Sequence, residues 1–219
     1  MQAKPTRADK VAQTRERILD AAERLFAEHG LSAVSNRQIS EAAGQANNSA
    51  VGYHFGTKSE LIKAVVSRHV LPMEQIRERL LAELGDDPGV RDWVACTVRP
   101  MTDHLASLPG VTWWARLVAQ ISTDPSLYLA ELDESTASDV RRRTDEGLRS
   151  SVPSLPDEVV DERERMVRNL VVYVCAEREQ ALAEGSPTAR ATWDETAVGL
   201  IDAITGIWQA PVTPVVRAG

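Results

Sequence analysis

Between Ser35 and Lys58 the chain carries Arg37, Gln45, Asn47, Asn48, Ser49, Tyr53, His54 and Lys58, a concentration of hydrogen-bonding and cationic side chains within one short segment. An asparagine amide presents a donor beside an acceptor, the pairing that reads the N6 and N7 edge of adenine in a major groove. Lysine, arginine, tyrosine and histidine reach phosphate oxygens, which fix position without reading sequence. The order of residue types therefore assigns Asn47, Asn48 and Ser49 to base edges or their rim, with Gln45 beside them. Tyr53, His54 and Lys58 are expected on phosphates, and Arg37 on a phosphate flanking the groove. Replacing Lys58 by alanine should then weaken binding to every sequence and flatten the salt dependence, whereas Asn48→Ala should alter sequence preference. Catalytic chemistry finds less support. The four histidines, His29, His54, His69 and His104, are scattered, and the chain has no HExxH, no Gly-rich phosphate loop and no Gly-x-Ser-x-Gly.

To present such side chains the segment must form short helices separated by a tight turn. Ser35 followed three residues later by Gln38 is a capping-box pattern that starts a helix near Asn36. Ile39, Ala42 and Ala43 give that helix one apolar edge, and Gly44 supplies a residue able to leave it at positive φ. Asn47 or Asn48 then caps a second short helix running to about His54, with Ala50 and Val51 facing inward. Thr57 and Glu60 form another capping box, which puts Lys58 in the first turn of a third helix.

With the preceding TRERILDAAERLFAEHGLSAV, the run resembles the DNA-binding head of the TetR (tetracycline-repressor) family of transcriptional regulators. Ile18, Leu19, Ala22, Leu25, Phe26 and Gly30 match the first helix of that head. Ala43, Gly44, Tyr53, His54, Phe55, Lys58 and Leu61 match the turn, the recognition helix and the helix after it. The resemblance covers about the first quarter of the chain. Two positions depart from the family pattern. Gln45 and Ala46 make the turn one residue longer, and Gly52 stands where many members carry an aromatic residue. A mid-helix glycine costs about 1 kcal/mol relative to alanine.

A chain of 219 residues with 43% hydrophobic content can bury a sizeable core, enough for one small and one larger helical domain. The formal net charge is −7, but it is unevenly distributed: residues 1–60 hold eight Lys or Arg against seven Asp or Glu, and the remainder hold 17 against 25. Lys4, Arg7, Lys10, Arg15 and Arg17 suit a flexible arm near phosphates, or else a solvated, disordered tail. Cys96 and Cys175 lie far apart in apolar runs without metal-ligand spacing, as in a reduced cytosolic protein. No apolar run approaches the roughly 18 residues a membrane span requires, and no apolar targeting core opens the chain, so a cytoplasmic, unanchored protein is expected.

Beyond Lys58 the pattern is helical throughout, which makes the expected fold all-α. The segments expected are an arm and helix-turn-helix domain (1–58), a helical effector-binding and dimerisation domain (59–211) and a C-terminal tail (212–219). Pro72 and Pro100 should kink or split their helices, and Thr123-Asp124-Pro125 should start another. Glu162 and Glu164, among Arg163 and Arg165, read as a solvated helix face. Val159, Val160, Met166, Val167, Leu170, Val171 and Val174 form a near-heptad stripe. A capping box, Thr192 to Glu195, opens a final helix with Val198, Ile201, Ile204 and Trp208 on one face, where Gly199 and Gly206 permit close approach. These two helices are expected either to pair with a second copy or to cover the body core. The resemblance implies the former, a homodimer, because a two-fold dimer engages two half-sites about 34–36 Å apart. It also implies an inducer pocket on the middle helices, where Trp93, Met101, Trp113, Trp114, Arg116, Gln120, Tyr128 and Tyr173 are the large or polar groups available. Ordinary core packing is the simpler reading of each aromatic. Adjacent Trp113 and Trp114 cannot both line one cavity.

The expected function is sequence-specific regulation of transcription: repression released from a palindromic double-stranded DNA operator by a small-molecule effector, with no cofactor, metal, catalysis or membrane involved. A ligand-binding protein with a degenerate head, or a protein-interaction module, are the alternatives that Gly52, the longer turn and the terminal stripes leave open.

Overall fold

The computed structural model describes residues 6–45, 47, 49–123, 138–152 and 154–213, which form helices joined by turns, with no strand among the described residues. In chain order these are α1 (Arg7–His29), α2 (Asn36–Ala42), α3 (Ala50–Phe55), α4 (Lys58–Ala82), α5 (Val90–Ser107), α6 (Trp114–Thr123), α7 (Asp139–Ser151), α8 (Asp157–Glu184) and α9 (Trp193–Gln209). The all-α expectation holds. Contacts group the chain into two compact units, one holding residues through Leu71 with the segment from Val111, the other starting at Pro72 and holding α5 and α7 to α9. Compactness thus divides the chain within α4 and joins α6 to the head, whereas the sequence boundary was expected at residue 58.

The head unit begins with a capping box that the sequence reading missed. Thr6 Oγ1 accepts the Asp9 backbone N–H at 3.1 Å while the Asp9 carboxylate accepts the Thr6 N–H at 2.8 Å. The acidic group also sits favourably at the positive end of the helix. Arg7, Lys10, Arg15 and Arg17 are consequently on a helix and not on a flexible arm; Lys4 lies outside the described residues. Ile18, Leu19, Ala22 and Phe26 form the buried face of α1. α2 and α6 pack on this helix.

A buried ionic cluster ties α1, α4 and α6 together. Glu23 and His69 are 5% and 3% exposed, and His69 Nε2 lies 3.0 Å from the Glu23 carboxylate. Arg68 donates to the same carboxylate and, at 2.6 Å, to Asp20. The His69 ring stacks on Trp114, with centroids 4.3 Å apart and planes 11° from parallel. Burial raises the Glu23 carboxyl, but the hydrogen bond and charge of His69 and the charge of Arg68 outweigh it and hold the group below its ordinary value. A carboxylate this deep is tolerated only when paired.

In the body unit, α5 packs between α7 and α9. Neither proline splits its helix: α4 continues through Pro72 from Lys58 to Ala82, and Pro100 lies inside α5 with its ring buried. Each proline forfeits one i→i−4 bond, a loss that tertiary packing of the flanking turns can cover. Trp93 lies flat against Gly147 of α7: a Cβ there would stand 2.3 Å from the indole. Of the stripe read as either a pairing face or a cover for the body core, Ile201, Ile204 and Trp208 are buried within this unit and only Val198 is exposed. The contact of α9 with α5 accounts for that burial. Arg163, expected on a solvated face, is 7% exposed and caps the end of α9, donating to the carbonyls of Trp208 (2.7 Å) and Ala210 (2.6 Å). The two cysteines are free and buried, their thiols pushed up by desolvation to about 11 for Cys96 and about 12 for Cys175. Among the described residues no helix is long and apolar enough to cross a membrane.

Candidate nucleic-acid interface

The first of the two short helices of the head forms as its cap dictates, and the second forms without one. Ser35 Oγ accepts from Gln38 N at 3.3 Å, and the Gln38 side chain returns a bond to Ser35 N at 2.8 Å. α2 ends at Ala42, and Gly44 takes φ 67°, the conformation that an L side chain resists. Asn47 does not serve as the helix N-cap. It makes an Asx turn, its Oδ1 accepting Ser49 N at 3.0 Å and Ser49 Oγ at 2.5 Å, and α3 follows from Ala50. Asn48 lies outside the described residues, as does Ala46 of the lengthened turn. Thr57 and Glu60 close the segment with the expected reciprocal bonds, Glu60 N to Thr57 Oγ1 at 3.2 Å and Thr57 N to the Glu60 carboxylate at 2.7 Å.

α3 buries Ala50, Val51 and Phe55 and turns its other side outward. Tyr53 is 81% exposed, the highest among the exposed large apolar side chains, and its ring meets the half-buried His54 edge-on at 4.9 Å. Gly52 lies on the same side, and a Cβ at that position would meet nothing within 4 Å. The missing aromatic side chain thus leaves bare, approachable backbone. Desolvation and the nearby charge of Arg15 lower the His54 pKa, favouring a neutral imidazole that donates a hydrogen bond and carries no charge. Arg37 is exposed and pairs with Glu41 one turn on, at 2.8 Å. The Gln45 amide is drawn back to the Ala43 carbonyl at 3.1 Å. Lys58 is turned inward. Its ammonium donates to the carbonyls of Leu31 and Val34, the latter at 2.6 Å, with the Phe26 ring 5.6 Å away. The head therefore leaves Asn47, Ser49 and Tyr53 exposed, with His54 half-buried beside Tyr53, and turns Lys58 inward.

The described residues expected to line an effector site divide between the two units. In the head unit, Trp114 is spent on His69, and the Gln120 side chain lies 3.4 Å from where a Cβ of Gly30 would stand. Trp113 and Arg116 are half-buried, with the guanidinium 4.1 Å from the indole centroid and donating to the Thr112 carbonyl at 2.6 Å. In the body unit, Met101 is core, Trp93 packs on Gly147 and Tyr173 is exposed on α8. Tyr128 lies outside the described residues. A cavity of about 370 Å³ does occur in the body unit, between α8, α9 and the turn at Pro187–Arg190, but none of the expected residues lines it. Arg178, which does line it, donates to the Arg190 and Ala191 carbonyls, the latter at 3.0 Å. The signal for such an inward arginine was its register. Arg163 and Arg178 each stand a helical turn from the buried run of Val167, Val171 and Cys175, so both are in phase with it.

Two family models match this chain: bacterial regulatory proteins of the tetR family over residues 18–65, and the tetracyclin repressor-like C-terminal domain over residues 95–206, which is just over half of the sequence. The HTH-type transcriptional repressor AcnR of Corynebacterium efficiens is 29% identical over 157 residues, spanning 66% of this chain and 74% of that protein. AcnR of Corynebacterium glutamicum matches to the same extent. The ketosteroid transcriptional regulator KstR2 of Mycobacterium tuberculosis superposes with a TM-score of 0.59 at 16% identity, covering 90% of this chain and 95% of its own.

Proposed function

Because the chain belongs to the tetR family of bacterial regulatory proteins, we propose that this DNA-binding transcriptional regulator is a homodimeric, cytoplasmic repressor whose operator affinity falls when a small molecule occupies it. The observation that supports the DNA reading is the outward side of α3 and of the turn before it, where Asn47, Ser49 and Tyr53 are exposed and His54 is half-buried, between helices that two capping boxes start. Asn47, Asn48 and Ser49 read base edges, with Gln45 at their rim. Tyr53 and His54 take phosphates, Gly52 lets the backbone approach, and Arg37 takes a flanking phosphate. The relatives named repressor support that sign of regulation. For the effector, Trp113 and Arg116 are our assignment, a half-buried flat cation on an indole able to hold a planar or oxygen-bearing group. No step of this function calls for catalysis.

Dimerisation is assigned to the outer faces of α8 and α9. Met166 and Tyr173 are exposed on one face of α8, and Val198 is exposed on α9 beside Gly199, Ala203 and Gly206, residues small enough for close helix approach. An isologous pairing of these faces buries the apolar side chains of both copies. Sedimentation of the protein alone and with a duplex bearing its operator tests the assignment. Two chains per duplex, and loss of the dimer in Tyr173→Glu, are the expected results; a monomer that binds a single half-site with undiminished affinity overturns the assignment.

A further inference from the structure

α3 is only six residues long and has a glycine near its middle. A helix of that length does not hold itself, because nucleation fixes several dihedral angles for one hydrogen bond and glycine adds backbone freedom. Its amino end receives no capping bond from the Ser49 side chain. The carboxyl end is held from outside, by a residue 39 positions earlier: Arg15 of α1 donates from Nη1 to the His54 carbonyl and lays its guanidinium 4.2 Å from the centroid of the Phe55 ring. Phe55 is buried and Arg15 half-buried, so the stack is partly shielded from water. A cation at a helix carboxyl end meets the partial negative charge of the unpaired carbonyls. A guanidinium can stack flat on a ring and donate in its own plane at the same time, which an ammonium cannot.

We infer that Arg15 is a positioning residue for DNA recognition: it fixes the carboxyl end of α3, and so the presentation of Tyr53 and His54, instead of neutralising a phosphate. The inference rests on α3 being the helix that reads DNA. Of the basic residues near the amino end it is therefore the one to be left out of the phosphate count, although its charge and place in the sequence suggest otherwise.

The test measures affinity by fluorescence anisotropy for a duplex that the unaltered protein selects from a random pool, and for a scrambled duplex of the same length, each across a range of salt. Arg15→Lys and Arg15→Ala should both lower affinity for the selected duplex about tenfold or more and affinity for the scrambled duplex by a smaller factor, leaving the slope of log K against log salt unchanged because Tyr53 and His54 carry no charge. Phe55→Leu, which keeps the charge of Arg15 and removes the ring beneath it, should do the same. Circular dichroism melts establish that each variant is folded, and Arg15→Lys with Phe55→Leu carry the test if the alanine variant is not. If Arg15→Lys binds like the unaltered protein while Arg15→Ala weakens both duplexes equally and lowers the slope by about 0.9, the value for one lost phosphate contact, the inference is overturned. Undiminished discrimination in all the variants overturns it as well. Asn47→Ala separates the premise from the inference: if that variant keeps the selected sequence preference, α3 is not the reading helix, whatever Arg15 does.

Discussion

Replacing Lys58 by methionine keeps the unbranched stem and deletes only the ammonium, which in the structure donates to the carbonyls of Leu31 and Val34. Those residues are 4% and 2% exposed, so little water is at hand to replace the lost donor. A hydrogen bond from a charged donor contributes about 1.5–3 kcal/mol. Against two such bonds stands up to about 2 kcal/mol of lysine rotamer entropy that methionine partly recovers, together with the half-exposure of the ammonium. The net expectation is about 2 kcal/mol of destabilisation. For a chain of this length that corresponds to about 4–8 °C in the first thermal transition. Differential scanning calorimetry reads the stability, and titration of a scrambled duplex across salt concentrations reads the phosphate count. A melting point unchanged within 2 °C, together with a slope of log K against log salt reduced by about 0.9, would refute the reasoning and return Lys58 to the phosphate role that its position in the sequence suggests.

Other perturbations probe the rest of the framework. Arg163→Met leaves the terminal carbonyls of Trp208 and Ala210 without their donor and should cost about 2–4 kcal/mol in urea unfolding; a change below 0.5 kcal/mol would show that the cap is dispensable. Gly147→Ala forces the Trp93 indole off α7 and should destabilise by about 1–3 kcal/mol with a shift in tryptophan emission, and Trp93→Leu in the same chain should relieve most of that cost. Because Glu23 titrates below its ordinary value in the fold, its stabilisation is complete above the unfolded carboxylate value and is lost as pH falls through the folded one. Melting temperature should therefore drop on acidification below about pH 4.5, and Glu23→Gln should flatten that limb while lowering stability at neutral pH. Cys96 and Cys175 should resist a thiol reagent at pH 7.5 in the native protein and react fully in denaturant, with native-state labelling as the contrary result.

What the sequence made legible was local. Ser35 with Gln38, Gly44, and Thr57 with Glu60 each specify a cap or a stop through neighbours within a few residues, and all three sites formed as the spacing required. The all-helical body followed from apolar periodicity in the same way. The destinations of the long cations were not legible, because a charged side chain does not announce a backbone carbonyl as its partner when that carbonyl lies far along the chain. Lys58 reaches back 27 residues, Arg15 across 39 and Arg163 across 45. The face of the final helix stayed open between two readings for a related reason. The face bearing Ile201, Ile204 and Trp208 is equally suited to a second copy or to α5, and only the fold decides between them. The Thr6 box was not legible because its N3 residue is Asp9, where the usual capping-box pattern carries glutamate or glutamine. For the candidate site, residue type and spacing pointed to Asn47, Ser49 and Tyr53, which the structure leaves exposed, while the Asx turn between Asn47 and Ser49 depends on the conformation around Ser49.

The account stands most directly on which DNA this protein selects. Purified protein should be challenged with a random duplex pool at one stated salt concentration, the bound fraction sequenced, and the selection repeated with Asn47→Ala. A two-fold palindrome with half-site centres about 34–36 Å apart, whose preference changes in the variant, is the predicted result. Recovery of sequence-indifferent, steeply salt-dependent binding, or a palindrome unaltered by Asn47→Ala, would contradict the assignment of α3 as the helix that reads the operator.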